Sequence, residues 1–268
     1  TRLQGDWSSD VCSSDLRFTR EEVRYFLGDS GARLVLAGRE QLALATELSD
    51  ALSGGDDKSA DSGRCAVAVD EQVLSPHETA WREPEPAAND PCLILYSSGT
   101  TGWPKGVVHT QANVASSLHA LAACWRMAPD DVVVNVLPLF HIHGLAFATL
   151  ATWLSGACLL VDDAFDPLRT MELIGRASVF MAVPPMYYRL LEESQFAEKA
   201  RTWRGTRLFT CGSAPIRPEV LPRLEEILQR PVINRYGMTE SFVITSLPLD
   251  GPWPYGSVGR PLNGVELT

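Results

Sequence analysis

Residues 92–106 read CLILYSSGTTGWPKG, an apolar run followed by a segment rich in glycine and hydroxyl groups with one lysine. The apolar run Cys92–Tyr96 predicts a buried strand. In the segment after it, glycines let backbone N–H groups turn toward an anion, hydroxyl groups donate further hydrogen bonds, and Lys105 supplies a positive charge. A strand that leads into such a loop predicts a phosphate-binding site. The alternative is a flexible turn of small residues.

The loop differs from the phosphate-binding loop of P-loop proteins. That loop places its lysine between a glycine and a Ser or Thr, whereas Lys105 follows Pro104 and precedes Gly106. The sequence therefore disfavours a P-loop kinase or GTPase.

Helical and strand patterns alternate along most of the chain. The predicted strands are Leu34–Leu36, Cys65–Val69, Cys92–Tyr96, Val132–Val136, Cys158–Val161, Val179–Ala182, Leu208–Thr210 and Val232–Asn234. The predicted helices are Arg20–Leu27, Arg39–Leu52, Gln111–Trp125, Leu145–Leu154, Leu168–Gly175, Pro185–Leu191 and Glu219–Leu228. Apolar strands separated by amphipathic helices are typical of parallel sheets covered on both faces, so we predict an α/β fold. Ligands are then expected beyond the carboxyl ends of the strands.

Composition and charge limit the classes of partner. The chain has 268 residues, 45% of them hydrophobic, and 23 Lys and Arg against 33 Asp and Glu give a formal net charge of −10. This charge disfavours nucleic acid and anionic membrane surfaces, but it allows a small anionic ligand held by local N–H groups and one lysine. The stretch Val132–Val161 has no Asp, Glu, Lys or Arg. Its proline, histidines and glycines divide it into pieces too short to cross a membrane as one helix, so we predict no membrane span.

The six cysteines are widely spaced, and none forms a CxxC or similar metal-binding pattern. Four of them, Cys65, Cys92, Cys158 and Cys211, lie in predicted strands or directly after one. We therefore predict that they are small buried side chains in a reducing compartment, and that the protein is cytoplasmic.

Three further segments follow predicted strands and carry polar groups. In Leu137–Gly144, His141 and His143 are either half of a metal site with no third ligand nearby or a packed pair. Cys211–Pro215, taken alone, is a tight turn between a strand and a helix. Arg235–Glu240 combines an aromatic ring, a glycine, a hydroxyl and a carboxylate, which suit a nucleotide base, a phosphate and Mg²⁺. The alternative for this last segment is an ordinary polar turn.

The segment SSGTTGWPKGVVHT at positions 97–110 resembles the signature loop of the AMP-forming acyl-CoA synthetases. These enzymes belong to the adenylate-forming superfamily, with peptide-synthetase adenylation modules and firefly luciferase. The resemblance extends from about Phe18 to Thr268 and implies part of the large N-terminal domain of such an enzyme. In the family this loop is mobile and embraces the β- and γ-phosphates of MgATP. The resemblance therefore implies phosphate contacts from Ser97, Ser98, Gly99, Thr100, Thr101, Gly102 and Lys105.

The other segments resemble further motifs of the family and imply further roles. The adenine ring is expected to contact Gly212, Ser213, Ala214, Pro215, Tyr236 and Gly237, and the α-phosphate to contact Thr239. The substrate acid is expected to contact His141, His143, Arg235 and Met238. Magnesium is expected to bind Thr100 and Glu240. The residues expected to be catalytic are Lys105, His141, Thr239 and Glu240.

The resemblance also implies a two-step reaction. A carboxylate oxygen attacks the α-phosphorus of MgATP to give an acyl-adenylate and pyrophosphate, and a thiol, usually that of coenzyme A, then displaces AMP. Arg235, directly before Tyr236, resembles the malonyl-CoA synthetase branch, because a planar guanidinium suits the second carboxylate of malonate or a related short dicarboxylate. The alternative for Arg235 is an ion pair with a surface acid.

Other substrates and activities remain open at this point. The acid could be a short- or medium-chain fatty acid or an aryl acid, and the acceptor could be a carrier-protein thiol. A nucleotide-binding remnant without catalysis is a further alternative. Oligomeric state cannot be read from the sequence.

Both ends of the chain suggest a piece of a longer protein. Residues 6–16 contain the near-duplicate SSDV and SSDL and resemble a translated sequencing adaptor, so residues 1–16 are expected to be a non-native tail. The alternative is a polar N-terminal tail. The alternating run Val265–Thr268 predicts a strand that has just begun. We therefore expect residues 17–268 to be a partial N-terminal adenylation domain without the small C-terminal domain. In the family that domain carries a lysine that promotes adenylation, so the chain alone is expected to be nearly inactive.

Overall fold

The computed structural model describes residues 18–53, 65–68, 85–97 and 103–267. The chain divides into two compact units, a smaller one over Leu16–Pro86 and a larger one that includes Ala87–Thr268. The two are described separately.

The smaller unit pairs two helices with a two-stranded parallel sheet. Its elements are α1 (Arg20–Asp29), β1 (Leu34–Ala37), α2 (Leu42–Ser53) and β2 (Cys65–Ala68). Helix α1 begins where Thr19 and Glu22 cap each other's backbone N–H groups. These elements confirm the helices and strands predicted for this part of the chain.

The larger unit contains a seven-stranded sheet, a two-stranded sheet and the helices between the strands. Its strands are β3 (Pro91–Ser97), β4 (Lys105–Thr110), β5 (Val132–Asn135), β6 (Cys158–Val161), β7 (Val179–Ala182), β8 (Leu208–Cys211), β9 (Val232–Met238), β10 (Phe242–Ser246) and β11 (Arg260–Pro261). Its α-helices are α3 (Gln111–Cys124), α4 (Ala151–Leu154), α5 (Pro167–Ile174), α6 (Pro184–Glu192), α7 (Phe196–Ala200) and α8 (Leu221–Leu228). A π-helix spans His143–Leu150, and a 3₁₀ turn at Pro218–Val220 leads into α8.

The seven-stranded sheet has the order β11-β10-β9-β8-β7-β5-β6. The strands from β6 to β9 are mutually parallel, and β7 and β8 are buried along their whole length. This confirms an α/β fold with a mainly parallel sheet and helices against it. Continuous apolar strands form such a sheet because both of its faces are covered.

Strand β3 corrects one part of the prediction, because it is not a strand of the parallel sheet. It pairs in antiparallel fashion with β4, and Ser97 lies opposite Lys105. Strand β4 was not predicted, since its sequence KGVVHT was taken as part of the glycine-rich loop. Lys105 is therefore the first residue of a strand rather than a loop residue.

Strand β9 is longer than predicted and turns back into β10. It continues to Met238, and Phe242 pairs with Met238 across the turn. Gly237 is required at this hairpin, because a Cβ atom there would lie 2.1 Å from the carbonyl oxygen of Phe242. Strands β10 and β11 thus add an antiparallel edge to the parallel sheet.

The helix predicted at Leu145–Leu154 begins as a π-helix. The carbonyl oxygen of Gly144 accepts hydrogen bonds from the side chains of Asn135 and Thr149, at 3.0 and 2.8 Å. These side chains occupy an acceptor that a regular helix would leave to a backbone N–H, and π-helical turns often occur near functional sites.

Two smaller expectations were wrong. Cys65, Cys92 and Cys158 are exposed and only Cys211, among the four cysteines placed in strands, is buried. Residues 265–267 form no strand. Within the described part of the chain, no helix is long and apolar enough to cross a membrane.

Candidate active site

A cavity of about 450 Å³ opens in the larger unit, where the β3–β4 hairpin, the turn after β5 and the end of β9 meet. Ten residues that the sequence singled out line it, namely Ser97, Lys105, His141, His143, Ser213, Arg235, Gly237, Met238, Thr239 and Glu240. Four separate sequence motifs therefore meet in one cavity, as expected if ligands bind beyond the carboxyl ends of strands.

Other site residues from the sequence do not line this cavity. Gly212, Ala214, Pro215 and Tyr236 are not among the lining residues. Ser98, Gly99, Thr100, Thr101 and Gly102 lie outside the described residues, so their predicted phosphate and metal contacts stay predictions.

The cavity also has lining residues that sequence reasoning did not select. They are Tyr96, Leu137, Pro138, Ile142, Gly144, Phe147 and Val183. Most are apolar residues next to a selected motif. The sequence carried no separate signal for Phe147, which lies in an apolar helix and resembles an ordinary core residue.

Arg235 is the buried cation of the cavity. It is 4% exposed, its Nη2 donates to Ser213 Oγ at 3.4 Å, and its guanidinium carbon lies 4.8 Å from the centre of the Phe147 ring. Among the described residues, its Nε has no hydrogen-bond partner and no carboxylate forms an ion pair with it. Burial lowers the pKa of Arg235 to about 10, so the side chain still carries its charge at neutral pH. The surface ion pair considered for Arg235 is not found in the described part of the chain.

Gly212 has a structural role that the sequence did not predict, and the adenine contact expected for it stays a prediction. A Cβ atom on Gly212 would lie 2.4 Å from Nε of Arg235 and 2.5 Å from its Cζ. The absence of a side chain at position 212 therefore lets the guanidinium lie against the backbone, which any larger residue would prevent.

His143 is buried beside this guanidinium. It is 3% exposed, and its Nδ1 lies 3.2 Å from Ser213 Oγ. The tautomer that accepts from the Ser213 hydroxyl at Nδ1 carries its imidazole hydrogen on Nε2. That Nε2 has no partner within the described residues. Burial, with Arg235 and His141 nearby, lowers the pKa of His143 well below its ordinary value, so the ring is neutral.

His141 lies on the turn that begins after β5. Burial lowers its pKa as well, and its ring centre is 4.5 Å from that of Phe140. Asn135 holds this turn, because its side chain accepts from the N–H of Leu137 and donates to the carbonyl of Gly144, each at 3.0 Å. The two histidines thus lie on a fixed backbone. Among the described residues no group of three or more His, Cys, Asp or Glu side chains could hold a metal ion, so nothing there supports the metal-site alternative.

Four other residues that the sequence singled out are more open to solvent. Lys105 and Glu240 are exposed, Thr239 is half-buried, and the ring of Tyr236 is 47% exposed. A single carboxylate such as Glu240 fits Mg²⁺ that arrives with a nucleotide, because Mg²⁺ in such sites takes one or two protein carboxylates together with phosphates and water. Thr100, the other predicted magnesium ligand, lies outside the described residues.

The fold and the site agree with the family to which the sequence belongs. The family model described as AMP-binding enzyme matches residues 11–268. The chain therefore belongs to the AMP-binding enzyme family.

Among the individual proteins that the chain resembles are ligases that act on short dicarboxylic acids, according to their names. The human mitochondrial malonate–CoA ligase ACSF3 is 34% identical over 263 residues, and an oxalate–CoA ligase of Arabidopsis thaliana is 32% identical over 262. The alignments cover 92% and 93% of this chain, but 44% and 50% of those proteins. The chain thus spans about half the length of the curated relatives it matches.

Solved structures give the same likeness in three dimensions. ATP-bound MatB from Rhodopseudomonas palustris aligns with a TM-score of 0.82 and 30% identity, over 92% of this chain and 48% of that chain. A malonyl-CoA ligase with methylmalonyl-CoA and AMP bound aligns with a TM-score of 0.77 and 36% identity, over 92% and 50%. Both have the architecture described above.

Proposed function

We propose that this chain belongs to an acid–thiol ligase that uses ATP to activate malonate, or a related short dicarboxylate, and transfers the acyl group to coenzyme A. The observation that carries the proposal is the meeting of Lys105, Thr239, Glu240 and Arg235 in one cavity. The family supports adenylation, and the printed names of the relatives are those of malonate, oxalate and malonyl-CoA ligases.

The choice of a dicarboxylate rests on Arg235. A buried guanidinium that pairs with no carboxylate of the described residues is costly unless a ligand supplies the counter-charge. The distal carboxylate of malonate supplies it, with a second hydrogen bond from Nε2 of neutral His143. His141 and Met238 then border the carboxylate that reacts.

The remaining residues serve the nucleotide. An oxygen of the reacting carboxylate forms a bond to the α-phosphorus of ATP while the bond to pyrophosphate breaks, and Thr239 contacts that phosphate. Lys105, with the glycine-rich segment 98–102, binds the β- and γ-phosphates. The exposed ring of Tyr236 stacks on adenine beside Gly237 and the Gly212–Pro215 segment. Bound Mg²⁺, held by Glu240 and Thr100, would neutralise phosphate charge.

The thiol of coenzyme A then attacks the acyl carbon, and AMP leaves. Neither step requires a covalent bond to the protein, so positioning and charge account for the catalysis. We further propose that residues 17–268 form part of the large domain of a longer enzyme that acts in the cytoplasm. The ACSF3 relatives are mitochondrial by name, so localisation needs its own measurement.

A monocarboxylic acid is the second candidate substrate. Leu137, Ile142, Phe147 and Val183 give the cavity an apolar side, which suits a fatty or aryl group. A carrier-protein thiol as acceptor and a nucleotide-binding remnant without catalysis are not favoured by any observation on the described residues.

The test is a substrate panel with the complete product of the gene that encodes this chain. Formation of AMP is measured with malonate, methylmalonate, octanoate and benzoate, for the wild type and for Arg235→Met. We expect the wild type to prefer malonate, and the variant to lose on the order of 100-fold in kcat/KM for malonate, because a charged hydrogen-bonded pair is lost. Exposed Arg176→Met is the matched control. Turnover of octanoate and benzoate alone would contradict the assignment of Arg235.

A further inference from the structure

His109 is a buried histidine on β4, four residues after Lys105, and it touches the turn that carries Thr239 and Glu240. It is 3% exposed, and its Nε2 lies 2.8 Å from the carbonyl oxygen of Thr239. Because a carbonyl oxygen only accepts, Nε2 is the donor. The imidazole also packs edge-on against the Phe242 ring, with 4.5 Å between ring centres. His109 therefore contacts both ends of the 239–242 turn.

That turn has a backbone conformation that needs support. Phe242 is a buried non-glycine residue with a φ angle of 58°, in the left-handed region that aromatic residues rarely adopt. Gly237, which pairs with Val243 in the hairpin, has no room for a Cβ atom, because that atom would lie 2.1 Å from the carbonyl oxygen of Phe242. Such a conformation persists only when the surrounding contacts hold it.

Phe242 also connects the turn to the buried end of the cavity. Its ring centre is 6.1 Å from that of Phe147, and Phe147 lies under the guanidinium of Arg235. A shift of Phe242 would therefore reach both Thr239 and the arginine.

We propose that His109 is a positioning residue that holds the 239–242 turn against β4 and so fixes Thr239 and Glu240 relative to Lys105. The part of this inference that concerns catalysis rests on the proposed adenylation function. Nε2 of His109 donates a hydrogen bond to the Thr239 carbonyl, and the His109 ring packs against Phe242.

Two variants separate the hydrogen bond from the packing. His109→Phe keeps a ring against Phe242 but leaves the Thr239 carbonyl without its donor. His109→Gln places an amide N–H near the position of Nε2 and keeps the donor. Val108→Thr, at a 53% exposed position of the same strand, is the matched control.

The first measurement is hydrogen–deuterium exchange of the amides of residues 238–242 in the 268-residue chain, with the thermal melting temperature measured in parallel. We expect faster exchange in His109→Phe than in the wild type, while His109→Gln and Val108→Thr exchange as the wild type does. Unchanged exchange in His109→Phe overturns the proposal. Equal acceleration in His109→Phe and His109→Gln overturns the role of the donor.

The second measurement is malonate-dependent ATP–pyrophosphate exchange by the complete gene product. We expect kcat to fall on the order of 100-fold in His109→Phe, with KM for malonate little changed, and His109→Gln to recover most of the loss. A fall that only follows a lower melting temperature, or no recovery by Gln, contradicts the positioning role. If the wild type lacks this activity while amide exchange still rises only in His109→Phe, the proposed function fails and the hold on the turn stands.

Discussion

At the residue scale, Arg235 and Gly212 pack against each other, although Gly212 follows β8 and Arg235 lies within β9. The guanidinium rests where a side chain on residue 212 would otherwise be. Its buried Nε has no acceptor in the described part of the chain. A cation in such a place raises the free energy of the ligand-free protein, and an anionic ligand recovers that cost on binding.

Gly212→Ala tests this packing. The new methyl group must displace the guanidinium, so we expect KM for malonate to rise roughly tenfold or more, as for loss of a charged hydrogen bond. The measurement is steady-state AMP formation by the complete gene product. Gly205→Ala is the control, since a Cβ atom there would be 4.0 Å from the nearest atom, the carbonyl oxygen of Ala177. An unchanged KM in Gly212→Ala would show that Arg235 does not need this position.

His143 gives a prediction for the pH dependence of stability. Its pKa in the folded protein lies well below the ordinary value of about 6.5. Below about pH 6.5, the unfolded chain therefore binds a proton at His143 that the folded protein does not bind. The free energy of unfolding consequently decreases as the pH falls below that value. We expect the free energy of unfolding to fall by up to about 1.4 kcal/mol per pH unit from this residue.

Urea denaturation between pH 7 and pH 5 measures this slope. His143→Gln should reduce the slope without abolishing it, because the pKa of His141 is lowered too. Val108→Thr, at a 53% exposed position, should leave the slope as it is. An unchanged slope in His143→Gln would contradict a neutral buried ring.

At the element scale, an ion pair between Asp131 and Arg207 connects the amino ends of β5 and β8. Asp131, just before β5, accepts hydrogen bonds from Nε of Arg207 at 2.8 Å and from Oγ of Ser178 at 2.6 Å. Ser178 precedes β7 and Arg207 precedes β8. Burial alone would raise the pKa of Asp131, but the hydrogen bonds from Arg207, Ser178 and the N–H of Ala128 outweigh it and lower that pKa.

Asp131→Asn should therefore be strongly destabilising. The change leaves the Arg207 cation without its carboxylate, and we expect a loss of about 3 kcal/mol in the free energy of unfolding. Urea denaturation at pH 7 measures it. Asp250→Asn breaks the exposed pair with Arg126 and should leave the free energy of unfolding nearly unchanged, because water screens an exposed pair. Equal losses in the two variants would contradict a structural role for the Asp131 ion pair.

The sequence predicted the strands of the parallel sheet well and the hairpins poorly, for a physical reason. Strands such as β7 and β8 are apolar throughout because both faces are covered. Strand β4 is short, half-exposed and directly follows a glycine-rich loop, so its local pattern does not distinguish it from the loop. Its partner and its function both depend on contacts distant in sequence.

The candidate site also combines residues that local motifs predicted with contacts between residues distant in sequence. The motifs around Lys105, His141 and Arg235 were predicted because their residue types carry their own chemistry, and they do meet in one cavity. The contact of His109 with Thr239 joins residues 130 positions apart. No local sequence pattern reveals such a contact. The sequence around Gly212 likewise does not show that this glycine makes room for the Arg235 side chain.

At the scale of the whole molecule, all of the described cavity residues lie in the larger unit, Ala87–Thr268. Its mainly parallel sheet places the ends of β5, β8 and β9 at one edge. The β3–β4 hairpin brings Lys105 to the same cavity. The proposed reaction requires ATP and the carboxylate to bind side by side there.

A crystal structure of the complete gene product with α,β-methylene ATP and malonate tests this requirement most directly. The analogue keeps the α-phosphate but cannot release pyrophosphate. We expect its α-phosphate beside Thr239, its β- and γ-phosphates beside Lys105, and malonate with one carboxylate on Arg235 and His143. A nucleotide bound elsewhere in the protein, with the cavity beside Arg235 holding neither ligand, would contradict the proposed function at its centre.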